Sequence, residues 1–246
     1  MQYVEYGAHN SQTVILLHGG GLSWWNYREV AQLLADKYHV VLPILDGHAD
    51  SEHSFVSIEE NAARLIAYID KHHGGSICAL GGLSLGGQIA VEMLTQRPDI
   101  CRFALLESTL VKPSKLTHAL IKPTFGMSYS LIKQKWFAKL QAAYLGIPKK
   151  LFNDYFRDTC KISKEDMIAF LESNSAYSIK PALRDTRTKV HIVFGSKEQS
   201  SIHTSGKLLN RMLLDSTLEV LPEYRHGELS LNHPEQYSQM LLNLIG

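Results

Sequence analysis

The sequence predicts an α/β protein with a doubly wound, mostly parallel β-sheet and an inserted helical cap. Two observations predict this fold class. Short, continuous apolar runs alternate along the chain with amphipathic helical patterns, and such runs are typical of strands that helices cover on both faces. A long central stretch then shows helical patterns alone, which indicates an insertion between two strands of the core.

Five apolar runs predict the strands of the sheet, and a sixth run at 218–221 is a weaker candidate. The five runs are 13–17, 39–43, 76–81, 102–107 and 189–194. Helical patterns lie between and after them, at 27–35, 57–72, 87–96 and 234–244. The second of these begins with a capping box formed by Ser57 and Glu60 and is followed by Gly74, a residue typical of helix ends. Alternating strands and helices imply right-handed crossovers between parallel strands.

The predicted cap covers residues 112–180, so that residues 1–111 and 181–246 form the core. Pro123 and the segments 146–148 and 173–175 separate its helical patterns. The cap contains twelve Lys and Arg residues against five Asp and Glu, whereas the remainder has thirteen against nineteen. These basic residues either form solvated helix faces or make a lid that attracts an anionic substrate. The sequence leaves both interpretations open.

Composition narrows the classes of function. The 246 residues are 45% apolar and 20% charged with a net charge of +1, which is typical of a soluble globular protein and argues against nucleic-acid binding. Residues 1–6 lack a signal-peptide pattern, and no apolar run reaches the ~20 residues of a membrane helix. We therefore expect a cytoplasmic protein whose three cysteines are reduced. No His and Cys spacing indicates a metal site, and we expect no cofactor; the oligomeric state is not indicated.

The motif Gly82-Leu83-Ser84-Leu85-Gly86 lies directly after the predicted strand at 76–81 and before a helix. A strand that delivers Gly-x-Ser-x-Gly into a helix is typical of a nucleophile elbow, a sharp turn that exposes the serine hydroxyl. The flanking glycines are needed because a Cβ at either position would strike the neighbouring helix or strand. We therefore predict that Ser84 is a nucleophile.

Further motifs surround the elbow in a characteristic order. His18-Gly19-Gly20-Gly21 follows the first predicted strand and Asp46-Gly47-His48-Ala49-Asp50-Ser51 the second, while Gly195-Ser196-Lys197-Glu198 and His226-Gly227 come near the end. With this order the chain resembles the α/β-hydrolase superfamily over nearly its whole length outside the cap. It looks like a small, cap-bearing member of the esterase or lipase type.

The resemblance implies a catalytic triad in the chain order serine, acid, histidine. His226 follows the last predicted strand and is the expected general base. His233 is the competing histidine, but Asn232-His233-Pro234-Glu235 fits a helix start. Glu198 is the expected acid because it follows the strand at 189–194, where many family members have aspartate. Glu107, at the end of the preceding strand, remains the alternative acid.

The resemblance also implies an oxyanion hole made of two backbone N–H groups. One belongs to Leu85, the residue after the nucleophile, and the other to Gly20 in the loop after the first strand. Gly21 is a possible third donor. Such fixed donors stabilise the oxyanion by a few kcal/mol each.

These residues together predict a carboxylesterase-like serine hydrolase that cleaves a carboxylic ester or thioester through an acyl-enzyme. Two alternatives stay open. The same triad can serve a lyase or a perhydrolase, because fold and triad do not fix the reaction. The chain can also be a ligand-binding signalling protein with vestigial hydrolysis. The substrate itself is not readable from the sequence.

Overall fold

A seven-stranded β-sheet forms the centre of the protein in the computed structural model. The structure describes residues 1–246 apart from the side chain of Met127. The strands are β1 Tyr3–Tyr6, β2 Thr13–Leu17, β3 His39–Pro43, β4 Ile77–Leu83, β5 Cys101–Glu107, β6 Lys189–Gly195 and β7 Ser216–Leu221. Their spatial order is β1-β3-β2-β4-β5-β6-β7; β1 pairs antiparallel with β3, and the other neighbours pair in parallel.

Helices cover both faces of this sheet, as the continuous apolar runs predict. The helices are α1 Arg28–Leu34, α2 Ile58–His73, α3 Leu85–Gln96, α4 Lys115–Ile132, α5 Lys135–Tyr144, α6 Phe152–Thr159, α7 Lys164–Ala176, α8 Ser200–Met212, α9 Glu228–Asn232 and α10 Pro234–Ile245. One face carries a buried cluster that includes residues of α2 and α3, and the other carries a cluster that includes residues of α1 and α10. The predicted fold class is confirmed.

Three elements, β1, α8 and the five-residue helix α9, are not predicted from the sequence. Strand β1 has no continuous apolar run because it is an edge strand whose four residues are exposed or only half-buried. Strand β7, the opposite edge, is largely exposed as well, which explains why its apolar signal is weak. Helix α8 buries only a narrow stripe that includes Ile202, Gly206 and Leu209.

The stretch between β5 and β6 contains helices α4 to α7 and no strand. Two of its predicted separators are wrong. Pro123 lies inside α4, where it is exposed. A proline has no N–H to donate to the carbonyl four residues before it, and at an exposed position water can hydrate that carbonyl instead. Residues 173–175 lie in the last turns of α7. The third separator, residues 146–148, does end α5.

Charged side chains join residues 112–180 to the rest of the chain. Lys150 pairs with Glu29 at 2.6 Å, and Lys161 pairs with Asp50 at 2.7 Å. Trp25 donates a buried hydrogen bond from Nε1 to Asp158 Oδ2 at 3.0 Å. The excess of basic residues in this segment therefore faces, in part, the excess of acidic residues in the remainder.

No helix among the described residues is long and apolar enough to cross a membrane.

Candidate active site

Ser84 occupies the turn between β4 and α3 with a backbone φ of +53° and ψ of −110°. Such a conformation is strained for a residue with a side chain, typically by about 1–3 kcal/mol. Hydrogen bonds hold it in place, because Ser84 N–H donates to the Glu107 carbonyl at 2.9 Å and the Ser84 carbonyl accepts from Gln88 N–H at 2.9 Å. The result is a serine fixed at the carboxyl edge of the central strand.

The glycines on either side of Ser84 are required by close packing. A Cβ on Gly82 would overlap the backbone of Gly86, and a Cβ on Gly86 would overlap the carbonyl of Leu17 in β2. The elbow can therefore form only where neither position carries a side chain, which agrees with the argument from the motif.

His226 and Glu198 lie in direct contact. His226 Nδ1–H donates to Glu198 Oε2 at 2.7 Å. A carboxylate can only accept, so this contact places the proton on Nδ1 and leaves Nε2 as the basic nitrogen. The His226 side chain is 46% exposed, whereas that of Glu198 is fully buried.

Glu198 accepts two further hydrogen bonds at its other oxygen. Ser108 Oγ donates to Oε1 at 2.7 Å, and Gly195 N–H donates to the same oxygen at 2.8 Å. Burial by itself opposes ionisation, but the hydrogen bond and charge of His226, aided by Gly195 and Ser108, lower the pKa of Glu198 below its usual value. Glu198 is thus held as a charged, oriented partner of the imidazole.

Sequence reasoning did not identify Ser108. Its signal is position alone, since it directly follows β5 at the carboxyl edge of the sheet, where parallel strands gather their functional side chains. Besides donating to Glu198, its hydroxyl accepts from the Gly227 N–H at 3.4 Å. Ser108 therefore connects the acid to the residue that follows His226.

Ser84 and His226 line one cavity of about 170 Å³. Among the described side chains, no hydrogen bond joins the Ser84 hydroxyl to the His226 ring. Catalytic hydrogen bonds are often loose without substrate and tighten in the complex. The other residues that line the cavity are Gly19, Gly20, Leu22, Leu83, Leu85, Leu145, Ile147, Phe170, Leu171, Asn174, Gly227 and Leu231.

Gly20 and Leu85, the predicted oxyanion donors, lie side by side at this cavity. A Cβ on Gly20 would stand 3.6 Å from the Leu85 side chain and 3.2 Å from the Phe170 ring. Leu85 is the first residue of α3, so its N–H has no acceptor within the helix. Gly21 does not line the cavity; its carbonyl accepts from Thr159 Oγ1 at 3.4 Å.

His18 supports the loop that carries Gly20. Leu45 N–H donates to His18 Nε2 at 3.2 Å, which places the ring proton on Nδ1, and Nδ1–H then donates to the Gly19 carbonyl at 2.9 Å. Burial, together with the neighbouring His48, lowers the pKa of His18 to about 3. The neutral ring thereby fixes the loop backbone without carrying charge.

Glu107, the alternative acid, is a buried residue at the end of β5. Its Oε1 accepts from Ser230 N–H at 3.2 Å, while its Oε2 has no partner among the described residues. Burial is the main cause that raises the pKa of Glu107 to about 7. Within the described residues, no hydrogen bond joins it to His226.

His233, the competing histidine, caps the start of α10, which begins with Pro234. Its ring stacks on Tyr224 with the centroids 4.7 Å apart. It does not line the cavity that holds Ser84. The prediction that this residue belongs to a helix start is confirmed.

The cavity wall contains no Lys or Arg among the described residues. Several lysines of residues 112–180 instead pair with carboxylates elsewhere: Lys180, for example, lies 2.9 Å from Glu59 and 2.7 Å from Glu92. In the part of the chain that the structure describes, no group of three His, Cys, Asp or Glu side chains is placed to hold a metal ion.

Comparison with known proteins agrees with this architecture. A model of the alpha/beta hydrolase family matches residues 14–240. The chain belongs to the alpha/beta hydrolase family. Among its relatives, the uncharacterized hydrolase YugF of Bacillus subtilis (strain 168) is 29% identical over 155 residues, which are 61% of this chain and 54% of that protein. The chain thus matches about half the length of this curated relative.

Solved structures of similar fold include two hydrolases. An esterase from Thermogutta terrifontis has a TM-score of 0.78 at 18% identity, covering 98% of this chain and 91% of its own. An enol-lactonase from Burkholderia xenovorans LB400 has a TM-score of 0.83 at 15% identity, covering 99% and 95%. At these identities the likeness shows the fold alone.

Proposed function

We propose that this alpha/beta hydrolase is a carboxylesterase-like serine hydrolase with Ser84 as nucleophile, His226 as general base and Glu198 as the orienting acid. The observation that carries the proposal is the Glu198–His226 contact of 2.7 Å beside a cavity that the elbow serine also lines. Glu198 sets the ring tautomer, and the free Nε2 is then available to accept the serine proton.

In the proposed mechanism, Ser84 Oγ attacks the carbonyl carbon of the ester while His226 Nε2 accepts the hydroxyl proton. The negative charge moves to the carbonyl oxygen, where the N–H groups of Gly20 and Leu85 stabilise it. The intermediate collapses as His226 donates its proton to the leaving alcohol or thiol, which leaves an acyl-Ser84 ester. Water then attacks this ester with His226 as base, releasing the acid and restoring Ser84.

We also propose that residues 112–180 act as a cap over this site. Leu145, Ile147, Phe170, Leu171 and Asn174 come from this segment and line the same cavity as Ser84. A cap that supplies much of the wall selects the acyl group by shape and excludes water from the reacting carbonyl.

The test uses a fluorophosphonate label together with p-nitrophenyl acetate and butyrate. We expect stoichiometric labelling and turnover of the wild type, and loss of both in Ser84→Ala, because a phosphonate captures only an activated serine. Ser173→Ala, in the proposed cap but outside the cavity wall, is the matched control and should behave as wild type. A folded wild-type protein that neither labels nor turns over either ester would refute the proposed function.

A further inference from the structure

Asn174 is unusual among the residues that line the cavity. Leu and Ile side chains, glycines and Phe170 make up most of the wall. Apart from the proposed catalytic Ser84 and His226, Asn174 is the one described residue of the wall with a polar side chain. Its position in α7 places it one helical turn after Phe170, on the same face of the helix.

Hydrogen bonds to Gln88 fix which way the Asn174 amide faces. Gln88 Nε2 donates to the backbone carbonyls of Leu110 at 2.7 Å and of Asn174 at 2.9 Å. Carbonyls can only accept, so the nitrogen of Gln88 must face them and Gln88 Oε1 must face Asn174. Asn174 Nδ2 then donates to that oxygen at 2.7 Å.

This arrangement leaves Asn174 Oδ1 as a free acceptor. No described residue donates a hydrogen bond to it, and it is not among the polar atoms sealed from solvent without a partner. Gln88 is itself fully buried and lies one turn after Ser84, whose carbonyl accepts from Gln88 N–H. The acceptor is therefore held rigidly with respect to the nucleophile.

The volume of the cavity indicates the size of the group that its wall can surround. A volume of about 170 Å³ is close to that of an apolar protein cavity of roughly 150 Å³ that holds benzene. About six non-hydrogen atoms therefore fit. A wall without Lys or Arg offers no permanently charged partner to offset the desolvation of a carboxylate in this group.

We propose that Asn174 is a specificity determinant that selects short, uncharged acyl groups bearing a hydroxyl, which donates to Oδ1. This inference rests on the proposed ester hydrolysis and names its substrate class. A substrate with a methyl group in place of the hydroxyl leaves Oδ1 desolvated and unpaired, which weakens its binding in the transition state.

The experiment compares p-nitrophenyl esters that differ only by hydroxyl against methyl. The pairs are 2-hydroxybutanoate with 2-methylbutanoate and 3-hydroxybutanoate with 3-methylbutanoate, the chiral members as separate enantiomers. We expect wild type to prefer at least one hydroxy ester by roughly tenfold in kcat/KM, in line with one hydrogen bond. In Asn174→Leu, which removes the acceptor, this preference should vanish. The ratio of the two kcat/KM values within a pair is the readout, because the substitution also leaves the buried Gln88 Oε1 without its Asn174 donor and lowers both rates together.

The outcomes separate the two proposals. If wild type labels and turns over but shows no hydroxy preference in any pair, or if Asn174→Leu keeps that preference, the inference about Asn174 is wrong and ester hydrolysis stands. If the wild type shows no Ser84-dependent labelling, the proposed function fails first. If Asn174→Leu does not fold, Asn174→Ala is used in the same experiment, because it removes the same amide and alanine is a better helix former.

Discussion

Two glutamates near the same edge of the sheet illustrate how environment decides the role of a residue. Glu198 accepts hydrogen bonds from His226, Ser108 and Gly195, and these donors favour its charged form. Glu107 accepts one from Ser230 and is otherwise enclosed, so burial favours its neutral form. The residue type is the same, but only Glu198 is placed to orient an imidazole and stabilise it once it is protonated.

A prediction at the residue scale concerns the acid of the proposed triad. Glu198→Gln should lower kcat/KM for p-nitrophenyl butyrate by roughly 10³–10⁴-fold, since an amide no longer holds the correct tautomer of His226. Glu107→Gln should lower it by less than about tenfold. Circular dichroism of both variants checks that they fold, and the opposite ranking of the two rates would assign the acid to Glu107.

At the scale of elements, α7 connects the cavity to the core. Phe170 packs against His48 with the ring centroids 4.6 Å apart, and its side chain faces Gly20. Asn174 bonds to Gln88 of α3. Asp166, near the start of α7, accepts from the Phe55 N–H at 2.7 Å. The helix is therefore anchored at both ends, and the cavity wall that it supplies is fixed relative to Ser84.

The charge of residues 112–180 leads to an element-scale prediction about salt. Because several of these lysines pair with carboxylates of the remainder and none lines the cavity, the segment should not steer anionic substrates. Raising NaCl from 0.05 to 0.5 M should change kcat/KM for a p-nitrophenyl hemisuccinate and for the neutral butyrate by the same factor. Salt would strongly screen any attraction between exposed charges over this range.

A selective fall in the rate for the acidic ester would contradict this prediction and support the interpretation of the segment as an anion-attracting lid. Lys112→Gln, outside the cavity wall, would then serve as a control for nonspecific charge effects.

At the scale of the whole molecule, the strand order assembles the site. Strands β4, β5 and β6 are neighbours in the sheet, so their carboxyl ends bring Ser84, Ser108 and Glu198 to one edge. His226 arrives from the loop after β7. Glu107 is buried near Tyr27 and Tyr237 at this edge. Burial is the main cause that raises the pKa of both phenols, and the nearby Glu107 carboxyl group raises it as well.

The stability of the fold should therefore depend on pH through Glu107. Its pKa in the folded state, about 7, lies above the ordinary value of 4.5, so its contribution is fully present below pH 4.5 and is lost as the pH rises through 7. The shift corresponds to roughly 3 kcal/mol in the free energy of unfolding. Urea unfolding at pH 5 and pH 8 measures it.

Glu107→Gln provides the comparison, because an amide does not titrate. The wild type should lose more stability than the variant between these two pH values. Glu198, whose pKa is lowered, loses its contribution only as the pH falls below its ordinary value of 4.5, which lies outside this range, and it is present in both proteins. Equal losses in wild type and variant would show that Glu107 ionises in the fold without cost.

The sequence by itself determined the fold class and most of the elements. Strands buried on both faces leave continuous apolar runs, and a tight elbow requires glycine on each side of Ser84. Both features can therefore be recognised in the local sequence. The edge strand β1 was not predicted, because its residues are exposed or half-buried and therefore form no continuous apolar run. Pro123 and residues 173–175 were wrongly predicted to separate helices. Pro123 fits within α4 because it is exposed to water, and residues 173–175 stay helical where Asn174 bonds to Gln88 of α3.

Only the tertiary structure decided how distant residues meet. The local sequence does not specify the partners of Ser108 and Asn174, because a serine after a strand and an asparagine in a helix acquire their partners from residues 90 and 86 positions away. The contrast between Glu198 and Glu107 likewise depends on burial and on donors from other strands. Local sequence specifies backbone shape, whereas ionisation state and side-chain partners depend on packing between elements far apart in the chain.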